Sequence, residues 1–204
     1  KNNIFNKKIK LKVTNKSEIL KKIGKLAKYQ GVALLVEKIN LVTKNFLKDS
    51  FNNEQLILII DQLNDPSNLG SLLRISYAFG ISTVVIPARN TTEENGYVAS
   101  IASGSLDKIK IYKIKNLVNT INYLKSKNWW IIGLESKKFN NCINLKEKQH
   151  EFDKKALIIG SENIGLRKLV RENCDVLYRI PTKRYDLDSL NVVQATSIAL
   201  YELA

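Results

Sequence analysis

The chain has 204 residues, and its 33 lysines and arginines against 19 aspartates and glutamates give it a net charge of +14. That length suits one catalytic-sized domain with an appendage, no apolar run reaches the roughly 18 residues that span a membrane, and the charge calls for a polyanionic partner. Two cysteines, Cys142 and Cys174, with a single histidine, His150, argue against a disulfide framework and offer no obvious zinc site, so a reducing compartment is expected.

Residues 1–50 carry 13 lysines against Glu18, Glu37 and Asp49, so most of the excess charge lies in the first quarter. A solvated lysine-rich surface is the plain alternative to polyanion binding. The opening residues hold no hydrophobic stretch of signal-peptide type. Methionine is absent throughout, position 1 included, and a processed protein or a fragment is expected. Residues 8–13 alternate polar and apolar, as a half-buried strand does. Residues 16–28 predict a helix with Ile19, Ile23, Leu26 and Ala27 on one face, and 31–36 a further strand. This strand-helix-strand piece is too small to close its own core. Residues 40–55 are polar, lack a period and predict a linker.

Residues 56–60 form a continuous apolar run bounded by Asp61, the pattern of a central parallel strand buried on both faces. Asp65 is a good N-cap and Pro66 a good first helical residue. The helix that follows turns Leu69, Leu72, Leu73 and Ser76 inward and groups Ser67, Ser71 and Arg74 on another side, and Gly80 stops it. Arg74 is either a surface cation or, with the serines and Gly70 beside it, a contact for something large and anionic. Residues 83–86 predict a strand ending at Pro87, and Thr91 with Glu94 a capping box for a helix to about Ala102.

Residues 109–112 predict an edge strand. Leu117, Ile121 and Leu124 mark a helix, and 129–134 a strand on which Trp129 and Trp130 face opposite sides, so at least one belongs to the core. Residues 135–153 are a polar insertion. The run 156–159 then stops at Gly160-Ser161-Glu162-Asn163-Ile164-Gly165 and passes into a helix start at Leu166. Leu177 and Ile180 mark a last strand before Pro181, a polar loop and a terminal helix apolar over most of its circumference, which needs partners on more than one side. About six strands alternate with helices from Leu56 onward, an α/β fold with a mostly parallel sheet. Two strand-to-loop junctions, after 160 and after 180, fall where open α/β sheets bind ligands.

No G-x-G-x-x-G follows the first strand, no P-loop occurs, and one histidine in a polar insertion makes no Ser-His-Asp arrangement. The segments that do stand out are Asp65-Pro66-Ser67-Asn68-Leu69-Gly70 with Arg74, Gly160-x-Glu162-x-x-Gly165-Leu166 with Arg171-Glu172-x-Cys174-Asp175, and Ile180-Pro181 followed by Ser189-Leu190-Asn191-Val192. In this order they resemble the three motifs of the SpoU (TrmH-like) class of SPOUT RNA 2'-O-ribose methyltransferases, and most closely the bacterial 23S rRNA guanosine-2'-O-methyltransferases. The segment Tyr29-Gln30-Gly31-Val32-Ala33 resembles the end of the substrate-binding domain that precedes the catalytic domain in those enzymes, with Tyr29 in place of their histidine.

The resemblance implies a trefoil-knotted methyltransferase domain over 56–204, a linker over 39–55 and, over 1–38, the last part of an RNA substrate-binding domain. It implies S-adenosylmethionine as methyl donor, held by Gly160, Ile180 and Leu190 with Thr182 beside them; Glu162 either joins them or offsets a helix dipole. Asn68 and Arg74 would lie at the reacting ribose, and Ser189 and Asn191 would hold the hydroxyl and the loop. The implied partners are RNA, rRNA above all, and a second copy docked through the terminal helix, with no membrane. The implied compartment is the bacterial cytoplasm or an organelle matrix. The third motif departs from the family: residues 182–188 are one residue longer than usual and lack glycine. That departure favours the alternatives of a catalytically weak RNA-binding or ribosome-assembly protein; a tRNA 2'-O-methyltransferase is the alternative within the same chemistry.

Overall fold

In the computed structural model the described residues are 11–24, 29–36, 54–89, 91–92, 94–136, 142–147, 152–161, 164–183 and 189–204. The core is a seven-stranded sheet in the order β3-β2-β1-β6-β4-β7-β5, every neighbouring pair parallel. Its strands are β1 (Leu56–Asp61), β2 (Thr83–Pro87), β3 (Lys110–Ile114), β4 (Trp130–Leu134), β5 (Cys142–Asn144), β6 (Lys155–Gly160) and β7 (Val176–Arg179). The helices are α1 (Lys16–Ile23), α2 (Pro66–Ala78), α3 (Gly96–Ala102), α4 (Leu117–Ser126), α5 (Lys168–Glu172) and α6 (Val192–Leu203).

The apolar run of β1 is central and buried throughout, and its alternation sorts the helices. Leu58 and Ile60 share a core with Leu69 and Leu72 of α2, Val98 of α3 and Leu200 of α6. Ile57 and Ile59 share the opposite core with Leu117, Ile121 and Leu124 of α4 and Val170 of α5. Each such side chain contributes about 1.5–3 kcal/mol of burial, which is why a strand with no polar face holds the middle of the sheet.

The start of α2 is as expected: the Asp65 carboxylate accepts the Ser67 amide at 2.8 Å and Pro66 opens the helix. The Glu54 carboxylate, accepting hydrogen bonds from Ser82 (2.8 Å) and Thr83 (2.7 Å), ties the entry of β1 to that of β2. Trp129 is buried, and Trp130, exposed, stacks on Phe152 with ring centroids 4.1 Å apart.

Four expectations change. The helix before β3 starts at Gly96, not at Thr91: the Asn95 carboxamide oxygen accepts the amides of both Tyr97 and Val98 at 3.0 Å and outcompetes the more distant cap. The polar insertion contains a seventh strand, β5, only three residues long and held by its ladder to β7. Residues 11–13 and 31–36 are not strands, since no neighbouring strand pairs with them among the described residues; residues 8–10 of the first expected strand lie outside those residues. The N-terminal helix is capped by Asn15, which accepts the Glu18 amide at 2.9 Å, and stops at Gly24, where φ is +86°.

Candidate active site

Three neighbouring strands, β6, β4 and β7, point their carboxyl ends the same way, and the expected cofactor loops leave from two of them. After β6 the chain doubles back at once. Ser161 and Gly165 pair in an antiparallel bridge, with the Gly165 amide donating to the Ser161 carbonyl at 2.8 Å. A Cβ on Gly160 would lie 2.1 Å from the Gly165 carbonyl carbon, and Gly165 itself has φ +74°. Both glycines are therefore demanded by the turn. Glu162 lies outside the described residues.

After β7, Ile180 and Pro181 are half-buried and Thr182 is exposed. The chain is described again at Ser189 and Leu190, both half-buried, which lead into Asn191, the N-cap of α6, whose carboxamide oxygen accepts the Val193 amide at 2.9 Å. Ile180, just past the end of β7, and Leu190, just before α6, thus present apolar side chains that the described residues only partly cover. Such walls fit an adenine and a methylthio group, so the residues present suit S-adenosylmethionine.

On α2, Asn68 is buried in the first turn and Arg74 is exposed. Six residues of helix separate them by about 9 Å along the axis and about a third of a turn around it, so the pair does not share one face. Among the described residues Arg74 has no hydrogen-bond or ion-pair partner. Gly70 differs from its expected role: a Cβ there would meet Ile101 Cβ at 2.8 Å and the Val98 carbonyl oxygen at 2.9 Å, so this glycine seats α3 and not an anion. The α2 helix also packs on α6, which brings the helix of Asn68 against the one that Asn191 caps.

Ser103, Gly104 and Ser105 also have structural duties. Ser103 (φ 49°) and Gly104 (φ 83°) close α3 in left-handed conformations, and the buried Ser105 hydroxyl donates to the Ala102 carbonyl at 2.6 Å.

The second motif resolves into supports for the turn. Asp61, fully buried at the end of β1, accepts Arg167 Nε at 2.7 Å and the Arg167 amide at 3.0 Å. Glu135, buried just after β4, accepts the Ser136 amide at 3.0 Å, lies against Gly165, and has Arg171 at 3.9 Å. Asp175 bridges elements, accepting the Ile131 amide at 2.8 Å and pairing with Lys125 at 2.7 Å. Burial, reinforced by Asp175, pushes the Cys174 thiol up to about 12. Sequence reasoning took Asp61 only as the edge of an apolar run and passed over Glu135. The available signal was a carboxylate placed at the carboxyl end of a buried parallel strand.

The fold and these junctions define a class: a parallel sheet covered on both faces, with two loops leaving the carboxyl ends of β6 and β7 on either side of β4, one of them a glycine turn with no phosphate cradle. The SpoU rRNA Methylase family model matches residues 55–201. A 23S rRNA (guanosine-2'-O-)-methyltransferase of Xylella fastidiosa is 34% identical over 189 residues, which cover 91% of this chain and 74% of that protein. Among solved structures, a TrmH-family protein from Porphyromonas gingivalis (27% identity, TM-score 0.65) is matched over 74% of this chain and 59% of its own. An AdoMet-bound rRNA methyltransferase from Sinorhizobium meliloti (23% identity, TM-score 0.65) shares the fold over 73% of this chain and 55% of its own. The chain thus spans about three quarters of the Xylella relative and rather more than half of these two solved chains. It belongs to the SpoU rRNA methylase family. Members of that family are RNA 2'-O-ribose methyltransferases and take their methyl group from S-adenosylmethionine.

Proposed function

We propose that this chain methylates a ribose 2'-hydroxyl of large-subunit rRNA, at a guanosine, with residues 56–204 as the catalytic domain. The observation that carries the reading is that Gly160 ends β6 and Ile180 follows β7, the two strands on either side of β4, with their carboxyl ends pointing the same way, while α6, which follows Leu190, packs on α2. The Xylella relative supports the substrate, and the start of the family match at residue 55 supports the domain boundary. Residues 1–38 are then the end of an RNA-binding domain and 39–55 a linker. The bacterial source of that relative favours the bacterial cytoplasm.

The cofactor supplies an electrophilic methyl group on a positively charged sulfonium. The chain's own residues do the rest. Backbone groups of Gly160, Ile180 and Thr182 read the cofactor's polar edges, with Glu162 at the same turn, while the Ile180 and Leu190 side chains exclude water from it. Asn68 and Ser189 hold the ribose. Asn191, whose oxygen is committed to the α6 cap, fixes the loop that carries Leu190. A guanidinium stays protonated, so Arg74 orients the nucleotide and stabilises the developing alkoxide and is not the proton acceptor.

Calorimetric titration with S-adenosylmethionine tests the reading, with Leu190→Arg as the control. Binding at one site per chain, lost in Leu190→Arg, followed by 2'-O-methylation of 23S rRNA transcripts, is the expected result. No binding up to millimolar cofactor sinks it and favours an RNA-binding protein on the same fold; methylation of tRNA alone moves the substrate.

A further inference from the structure

The turn after β6 lies between two buried carboxylates, one from each flanking strand. In the sheet β6 has β1 on one side and β4 on the other. Asp61 ends β1 in register with Gly160, and Glu135 follows the last residue of β4. Asp61 has no exposed surface, and the Glu135 side chain has none either. Asp61 grips Arg167 through its backbone amide and its guanidinium. Glu135 carries Arg171 on one oxygen, and its other oxygen is so close to Gly165 that a Cβ there would sit 2.5 Å away. Two sealed carboxylates facing cations from one short segment are costly unless the geometry is held.

We propose that Asp61 and Glu135 are positioning residues for the methyl-transfer reaction: from the two flanking strands they fix residues 164–167, and through the pairing of Gly165 with Ser161 the cofactor-facing backbone at Gly160. This rests on the reading of Gly160 as a cofactor contact. Asp61 acts through Arg167, and Glu135 acts through Gly165 and Arg171. Neither carboxylate touches the reactants.

The test uses the full chain with Asp61→Asn, Glu135→Gln and the half-exposed partner Arg167→Gln, so that a buried variant that fails to fold leaves Arg167→Gln to decide. Hydrogen exchange is followed at the Gly165 amide, which bonds Ser161 and not Asp61, in the cofactor-free protein. S-adenosylmethionine affinity is measured by calorimetry, and melting temperature on the same samples. The expected result is at least tenfold faster exchange at Gly165 and at least tenfold weaker cofactor binding in each folded variant. Asp61→Asn/Arg167→Gln should be no worse than the weaker single variant. Unchanged Gly165 exchange in Arg167→Gln overturns the proposal, and so does faster exchange with unchanged affinity. Failure of the wild-type chain to bind S-adenosylmethionine sinks the cofactor reading and the positioning role with it, whereas wild-type binding with unaffected variants sinks the positioning role alone.

Discussion

Arg74 stands exposed on α2 with no partner among the described residues, while the other arginines of the motifs, Arg167 and Arg171, are held by buried carboxylates. An unpaired guanidinium is available for a planar, bidentate contact that an ammonium does not reproduce. Arg74→Lys is expected to lower the methyl-transfer rate at least tenfold while cofactor affinity, read by calorimetry, stays as in the wild type; a lysine form with near-full rate counts against bidentate positioning. Cys174 makes the opposite case. Its thiol, pushed up to about 12 by burial, stays neutral near pH 8 and should resist iodoacetamide in the folded protein, measured in a Cys142→Ser background. The pH dependence follows from the raised value. Unfolded, a thiol titrates near 8.5, so Cys174 favours the fold below that pH, and the advantage drains away as pH rises from about 9 towards 12. Urea midpoints across pH 8–11 should fall with pH, and fall less in Cys174→Ala. Both residues stand in motifs visible in the sequence, but only the structure separates the exposed cation from the half-buried thiol.

At the scale of elements, the contact between α2 and α3 depends on one missing side chain. A Cβ at position 70 meets Ile101 and the Val98 carbonyl oxygen inside 3 Å, and backbone of a packed helix does not yield cheaply. Gly70→Ala should therefore destabilise the chain by about 1–3 kcal/mol despite alanine's better helix propensity. Thermal unfolding checks it, and an unchanged or higher melting temperature refutes the crossing. The same comparison shows what sequence patterns carry. The long apolar runs of β1 and β6 and the capped α2 were legible because burial on both faces and an Asp-Pro start leave a local trace. β5 was not, since three residues of mixed polarity owe their conformation to the neighbouring β7. Residues 11–13 and 31–36 show the converse: strands were expected there, the first on its polar-apolar alternation, yet among the described residues no edge pairs with them. Gly70 was legible as a glycine that matters, but its partner, α3, lies some thirty residues downstream.

For the whole molecule, the telling element is α6, one side of which the described residues leave uncovered. Its inward side is complete: Val192, Thr196, Ala199, Leu200 and Leu203 are buried against the core. The outward side carries Gln194, Ile198 and Tyr201 at helical spacing, and the last two, 40% and 75% exposed, are large apolar groups in a chain with a net charge of +14. A chain so cationic repels its own copies except where the contact is uncharged. The Gln194-Ile198-Tyr201 stripe carries no charge. It supports the proposal of a two-fold dimer in which the same stripe meets itself. Sedimentation at micromolar concentration and moderate salt should show a dimer for the wild type and a monomer for Ile198→Glu/Tyr201→Glu, whose substitutions are exposed and should leave the melting profile of the monomer cooperative. A monomeric wild type, or a double variant that still dimerises, removes α6 from the interface. If the dimer holds, loss of methyl transfer in the folded monomeric variant would mean that the active site needs the second copy, and retained transfer would mean that each chain is complete in itself.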